Sequence, residues 1–437
     1  MPNPKRVVVI GAGPMGLYAA YAAARRGLEV TVLERDRVGY SLATWGSARF
    51  FSPLSMNAPA EVLRSLPDAP PGDALLTGPE MIDRVLAPLA RLPILYDRIR
   101  LRHQVIAIGR VGLSRRDFAG HPVRQEKPFR LLVKGPEGEY ALEADLVFDA
   151  SGAYARCNAM GAGGLPAPGE RALTGSLMRR LGDFDAFLSG FVTGHVLLLG
   201  HGHSAAHALL ALRDAAARNP GVSATWCFRS RNLRPFREMP DDPLPGRAAI
   251  VSAANALAAA PPAFLKVRRA GSIAALEPLS GAGGSRIRAF RAVLAGTSVS
   301  QAVSQTVSRA GSQAGSQAIS KTVPLGASAV TAAASAQRAD ILECDAVAAF
   351  TGHRPDLSFL SELALDLSPA TEGTRRLHAV LSGATDCLSV PMPRPEDLDS
   401  GETGFFLLGA KSYGRANTFL LRDGIAHLEM ILKHALG

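Results

Sequence analysis

Residues 7–20 read VVVIGAGPMGLYAA. The run Val7–Ile10 is continuously apolar and mostly β-branched, the pattern of a strand buried on both faces. It leads into Gly11-Ala12-Gly13-Pro14-Met15-Gly16 and then LYAAYAAARRG, a helical pattern that stops at Gly27. EVTVLER follows as a second strand and ends at Glu34. Each piece answers a need of dinucleotide chemistry. Gly11 permits the tight turn, Gly13 lets the backbone approach a pyrophosphate, and Gly16 lets helix and strand pack together. Pro14 forfeits no hydrogen bond in the first helical turn, and the free N–H groups there face the phosphates. Glu34 stands where a carboxylate accepts ribose hydroxyls.

The same sentence is written a second time. Val196–Leu199 is an apolar strand run, Gly200-His201-Gly202-His203-Ser204-Ala205 repeats the turn with Ala205 in the third small position, and a helical pattern follows. The next strand, SATWCFRSR, carries no terminal acid and runs into Arg229 and Arg231. Arginines there suit the 2′-phosphate of NADP; the plainer reading is surface charge at a strand end. His201, His203 and His207 have no Asp, Glu or Cys beside them, so the cradle accounts for the segment and no metal is expected. One acid-tagged and one arginine-tagged cradle predict two unlike dinucleotides, one held as electron carrier and one visiting to deliver a hydride. The fold expected is α/β, with two doubly wound Rossmann-like dinucleotide-binding domains, the second inserted in the first. Residues 1–168 and 340–437 form the first domain in this reading, and 169–339 the second.

Composition agrees with an enzyme of this kind. The 437 residues allow two or three domains, and 47% hydrophobic content fits a globular protein. The net charge of +10 comes from scattered Lys and Arg without aromatic interleaving, which argues for anionic cofactors or substrates rather than nucleic acid. Cys157, Cys227, Cys344 and Cys387 are isolated, with no C-x-x-C, a usage that fits a reducing cytoplasm. No apolar run is long enough to span a membrane. Residues 298–321, SVSQAVSQTVSRAGSQAGSQAISK, repeat at a four-residue spacing that drifts off a helix face. They read as an insertion between two strands, one in RIRAFRAVLAG and one in ADILECDAVAAFTG.

Five landmarks in order give the chain a resemblance to two-dinucleotide-binding-domain flavoproteins, and among them to class B flavin-dependent monooxygenases. GAGPMG with Glu34 is similar to their FAD turn, and SPLSMNAP (52–59) to their Tyr-x-x-Leu-x-x-Asn-x-Pro stretch, with Ser52 in place of the tyrosine. VFDASGAYARCN (147–158) resembles the segment leaving the flavin domain, GHGHSA the NADPH turn, and AAFTGHRPDLSFL (348–360) the late Ala-Thr-Gly-Tyr-x-Pro-Asp segment, with His353 for tyrosine. Two departures stand out. FLSGFVTGH (187–195) lacks the spacing and the tryptophan of the Baeyer–Villiger motif, and also fails the N-hydroxylating pattern. Gly409-Ala410 stands where flavin reductases carry Gly-Asp against the ribityl chain, leaving Lys411, Ser412 or Asn417 to take that contact.

The resemblance implies FAD and NADPH as cofactors. It implies cofactor contacts from Gly11, Gly13, Pro14, Gly16, Glu34, Arg35, Trp45, Gly152, Gly352, Gly409 and Asn417 toward FAD, and from Gly200, Gly202, His203, Ser204, Ala205, Arg229 and Arg231 toward NADPH. It places Asn57 near the flavin ring, where a carboxamide holds a flavin C4a-(hydro)peroxide without discharging it; a turn-capping Asn is the other reading. The reaction implied is oxygenation of nitrogen or sulfur in a small molecule by O2, with a reductase that inserts no oxygen as the alternative. No nucleic acid or membrane partner is expected, and a homo-oligomer is compatible with the reading.

Overall fold

Side chains on the first strand alternate between two cores. Val7 and Val9 join Leu17, Tyr18 and Val32 on one face of the sheet, while Val8 and Ile10 join Val105, Phe129 and Leu131 on the other. Burial on both faces is what makes the strand read as an unbroken apolar run. The computed structural model describes residues 5–279, 290–296, 340–384 and 386–436, so the 298–321 repeat lies outside the described residues.

In chain order, β1 (Arg6–Ile10), the helix Pro14–Arg25, β2 (Glu29–Glu34) and β3 (Ile99–Leu101) come first. β4 (Gln104–Arg110), β5 (Phe129–Gly135), β6 (Gly138–Ala144), β7 (Leu146–Asp149) and the short β8 (Arg156–Cys157) follow. Next come β9 (Gly194–Leu199), the helix His203–Arg218, β10 (Val222–Cys227), β11 (Leu265–Arg268), β12 (Gly271–Pro278), β13 (Phe290–Gly296), β14 (Asp340–Cys344) and β15 (Ala346–Ala349). The chain closes with β16 (His353–Arg354), β17 (Phe405–Leu407), the short helix Ala410–Tyr413 and the helix Leu421–Leu436.

These elements form two compact units: Met1–Arg156 with His353–Gly437, and Cys157–Gly352. The first unit is built on a five-stranded parallel sheet, order β17-β7-β1-β2-β3, and an antiparallel sheet β4-β5-β6. The second has a four-stranded parallel sheet, β11-β10-β9-β15, and an antiparallel sheet β12-β13-β14. The fold is therefore α/β with two Rossmann-like units, the second inserted in the first. Residues 340–349 split between two sheets: Asp340–Cys344 pairs antiparallel with β13, and Ala346–Ala349 joins the parallel sheet beside β9. Asp345 marks the break, and its carboxylate accepts the His195 N–H at 2.7 Å. Among the described residues no helix is long and apolar enough to cross a membrane.

A buried ionic cluster ties the first unit's loops to its sheets. Glu402 accepts from Arg110 Nε at 2.8 Å and from the Ala364 N–H at 2.8 Å, and Arg124 Nε lies 3.3 Å away. The three side chains are 3%, 2% and 5% exposed for Glu402, Arg110 and Arg124. Arg110 also donates to the Lys127 and Thr403 carbonyls and stacks 3.7 Å over Phe129. Removing the acid strands two guanidinium groups out of water. Glu402→Ala should lower the unfolding free energy by about 3–5 kcal/mol, read as a drop in the denaturant midpoint; an unchanged midpoint refutes this role.

Candidate functional site

The first cradle is a turn that only small residues fit. Gly11 sits at φ +97, and a Cβ there would lie 2.9 Å from the Ala150 carbonyl oxygen, just after β7. A Cβ on Gly16 would overlap the Gly11 carbonyl oxygen. Gly13 differs: nothing lies within 4 Å of where its Cβ would stand. The helix that starts at Pro14 has Gly13 as N-cap and no side-chain cap, so the first turn keeps its N–H groups for a ligand. Glu34 closes the arrangement. Its two oxygens accept the Ala12 N–H at 2.8 Å and the Asp36 N–H at 2.9 Å, and each retains a lone pair for a ribose hydroxyl. Burial pushes this carboxyl up, opposed by the two N–H groups and the Arg35 charge. The next residue, Arg35, lines an open surface depression of about 360 Å³ with Arg102, Gln104, Lys134, Gly135 and Pro136, and neither Glu34 nor the cradle glycines border it. A turn with open space at Gly13, an uncapped helix and a ribose-ready acid fits a dinucleotide such as FAD.

The second cradle obeys the same rules. Gly200 has φ +110, and its Cβ would overlap the Phe350 carbonyl, just after β15. Gly202 has open space, caps the helix His203–Arg218 and leaves it without a side-chain cap. His203 and Ser204 are exposed in the first turn, while Ala205 is fully buried, so a methyl is tolerated where the first cradle needs glycine. Arg229 and Arg231 are exposed beyond β10. Burial first, and then the charge of Arg229, lowers the His201 imidazole from its ordinary value. Trp226 carries no signal in the strand pattern that would single it out. It is fully buried, packs 4.5 Å from Phe228, and its indole N–H donates to the Gly200 carbonyl at 2.7 Å. Among the described residues no group of three His, Cys, Asp or Glu could hold a metal ion.

Asn57 is tied into a local turn. Its Nδ2 donates to the Ser52 and Pro53 carbonyls at 2.9 and 3.0 Å, and its Oδ1 accepts from Ser52 Oγ at 2.9 Å. Both amide donors are thus engaged in a local turn, and the buried carboxamide has none left to present to an oxygen intermediate. Ser52, the departure from tyrosine, is what completes this turn. Trp45 is half-buried, with its ring 4.8 Å from Phe50 and 6.3 Å from Tyr154, which in turn stacks on His353 at 4.5 Å. Gly152 and Gly352 adopt φ +75 and +84, and Arg354 pairs with Glu372.

Of the three candidates to replace the missing acid near Gly409, only Asn417 is exposed. Ser412 Oγ donates to the Gly409 carbonyl. Lys411 turns inward and is fully buried, with Nζ 2.7 Å from Asp149, 2.9 Å from Ser151 Oγ and 2.9 Å from the Asp356 carbonyl. Gly409 itself, at φ +66, lies against Met15 of the first cradle helix.

The contrast between glycines gives a clean test. Gly13→Ala should fold normally yet weaken FAD binding by an order of magnitude or more, because its methyl enters only ligand space. Gly16→Ala should damage folding itself. Thermal melting of the apoprotein and flavin fluorescence titration measure the two effects; equal FAD affinity for Gly13→Ala and wild type would rule out this cradle.

Residues 6–281, more than half of the chain, match the family model described as FAD dependent oxidoreductase. Thiamine thiazole synthase from Metallosphaera sedula is 44% identical over 61 residues, which spans 14% of this chain and 22% of that protein. Two solved structures align over nearly the full length. One is bacillithiol disulfide reductase from Bacillus cereus, at TM-score 0.64 and 15% identity, covering 99% of each chain. The other is a cadaverine monooxygenase of desferrioxamine biosynthesis from Erwinia amylovora, at 0.61 and 12%, covering 100% of this chain and 95% of that one. At such identities the likeness is one of fold. Two glycine cradles, the first with its ribose-ready acid, and a family match that begins at β1 together establish that this chain belongs to the FAD dependent oxidoreductase family.

Proposed function

We propose that this protein is an NADPH-using, FAD-dependent monooxygenase that adds one oxygen atom to a nitrogen or sulfur of a small molecule. The balance is substrate, O2, NADPH and a proton giving oxygenated substrate, NADP+ and water. FAD, when bound, supplies two-electron redox chemistry and the activation of O2. The chain's own residues do the rest. Gly11, Gly13 and Gly16 admit the pyrophosphate to the uncapped helix, and Glu34 orients the ribose by accepting from its hydroxyls. Gly200, Gly202, His203, Ser204 and Ala205 repeat this for the second dinucleotide, with Arg229 and Arg231 offered to a 2′-phosphate.

The observation that carries the reading is the pairing of these two cradles, built on one plan but finished with opposite charge. The cysteines add support. All four are free, and burial pushes the Cys227 and Cys344 thiols up to about 12, so neither is a thiolate at neutral pH. A dithiol relay to a disulfide substrate has no pair to work with among the described residues. Asn57, with both amide donors held in its turn, has only its carbonyl oxygen to offer a ligand.

Incubation with NADPH, O2 and a panel of amines, thioethers and amino acids should give a product heavier by one oxygen atom. NADPH oxidation with stoichiometric hydrogen peroxide and unmodified substrates would instead identify a reductase or oxidase. Arg229→Ala with Arg231→Ala should raise KM for NADPH about tenfold, near 1.4 kcal/mol of binding, and leave KM for NADH unchanged; a parallel loss for both cofactors contradicts the 2′-phosphate assignment.

A further inference from the structure

The first cradle is walled by two chain segments from distant parts of the sequence. One is the loop after β7: the Ala150 carbonyl and Ser151 Cα stand 2.9 and 3.1 Å from where a Gly11 Cβ would be. The other is the start of the helix Ala410–Tyr413, whose N-cap Gly409 presses on the Met15 side chain, 2.7 Å from a Cβ built there. The backbone pairing of β7 and β17 ends where the Leu408 N–H donates to the Asp149 carbonyl at 2.9 Å. Beyond that point the join is made by side chains, and Lys411 is at its centre.

The Lys411 ammonium has three donors, and three oxygens meet it: Asp149 Oδ2 at 2.7 Å, Ser151 Oγ at 2.9 Å and the Asp356 carbonyl at 2.9 Å. Ser151 is held from the other side, since its N–H and its hydroxyl both donate to Asp149 Oδ1, at 3.1 and 2.7 Å. Phe359 covers the ammonium, 4.3 Å from ring centre to Nζ. Lysine and aspartate are each 0% exposed. A buried pair of this kind is seldom the cheapest route to stability, because desolvation offsets most of the attraction and an apolar pair of similar volume often folds as well. Its retention at the wall of a binding site points to a positional task.

We propose that Lys411, Asp149 and Ser151 form a lock that fixes the two walls of the first cradle relative to each other, and so sets how tightly this protein retains FAD. They are positioning residues: the ammonium donates to Ser151 Oγ and the Asp356 carbonyl and pairs in charge with Asp149, so the lock acts through the backbone at 150–152 and 409–410. This goes beyond the oxygenation reading and holds for an oxidase or reductase equally.

The test is FAD affinity of folded apoprotein, by flavin fluorescence titration, alongside its melting temperature. Ser151→Ala removes the hydroxyl that bridges lysine and aspartate while keeping the ion pair. It should raise the FAD dissociation constant at least fivefold with a melting temperature within 2 °C of wild type. The double variant Lys411→Met with Asp149→Leu removes both charges; it should melt cooperatively and bind FAD at least twentyfold more weakly. Wild-type affinity in Ser151→Ala overturns the proposal, as does wild-type affinity in a double variant that folds. A double variant that does not fold leaves the Ser151→Ala result decisive. A wild-type chain that binds no FAD would sink the cofactor assignment instead, a different failure seen before any variant is made.

Discussion

Gly11 and Ala150 come so close that no side chain fits between them, and much of the first unit follows from that approach. β1 and β7 lie side by side in parallel, with Ile10 opposite Asp149, so both strands release their chains at the same edge. The chain leaving β1 must turn at once into a helix, and it does so at positive φ with its backbone against the neighbouring loop. A Cβ would push the two strands apart or the helix away from the sheet. What the glycines leave behind is a concave edge with unpaired amides, and an anion is the natural complement to it.

The second unit reaches the same solution with other residues. Gly200 abuts Phe350 after β15 as Gly11 abuts Ala150 after β7, and Gly202 is as open as Gly13. The differences lie in what surrounds the turn. Ala205 replaces the third glycine, the Trp226 indole holds the Gly200 carbonyl, and the segment after the following strand carries arginines where β2 ends in glutamate. The steric rule is thus shared, and the electrostatic finish separates the two sites. A carboxylate suits a ribose hydroxyl and a guanidinium suits a phosphate, so the two turns present opposite charge.

Buried charge is placed sparingly and at joints. Glu402 with Arg110 and Arg124 binds loops from three parts of the first unit, and Lys411 with Asp149 binds two walls of its cradle. In both places the ions satisfy backbone carbonyls or N–H groups that no strand or helix reaches. Such groups left dry and unpaired would cost about 1–3 kcal/mol each, so long charged side chains are a physical means of finishing irregular backbone inside a core.

The chain alone specified the strands, the glycine turns and the acid at Glu34, because each rests on local steric or periodic rules within some thirty residues. It also determined that the second unit interrupts the first, since the order of the two turns and the late Ala-Phe-Thr-Gly segment is a property of the chain. Asn57 stood between two readings on its residue type alone, and the folded turn engages it with Ser52 and Pro53, its near neighbours in the chain. Only the tertiary structure turned Lys411 inward, because Ser151 is 260 residues away in the chain and the choice between solvent and a buried carboxylate is made by packing. Trp226 likewise read as an ordinary strand residue until its indole met the Gly200 carbonyl. Local rules fix which backbone can form, and the pairing of buried polar groups waits on distances that the chain sets only once it has folded.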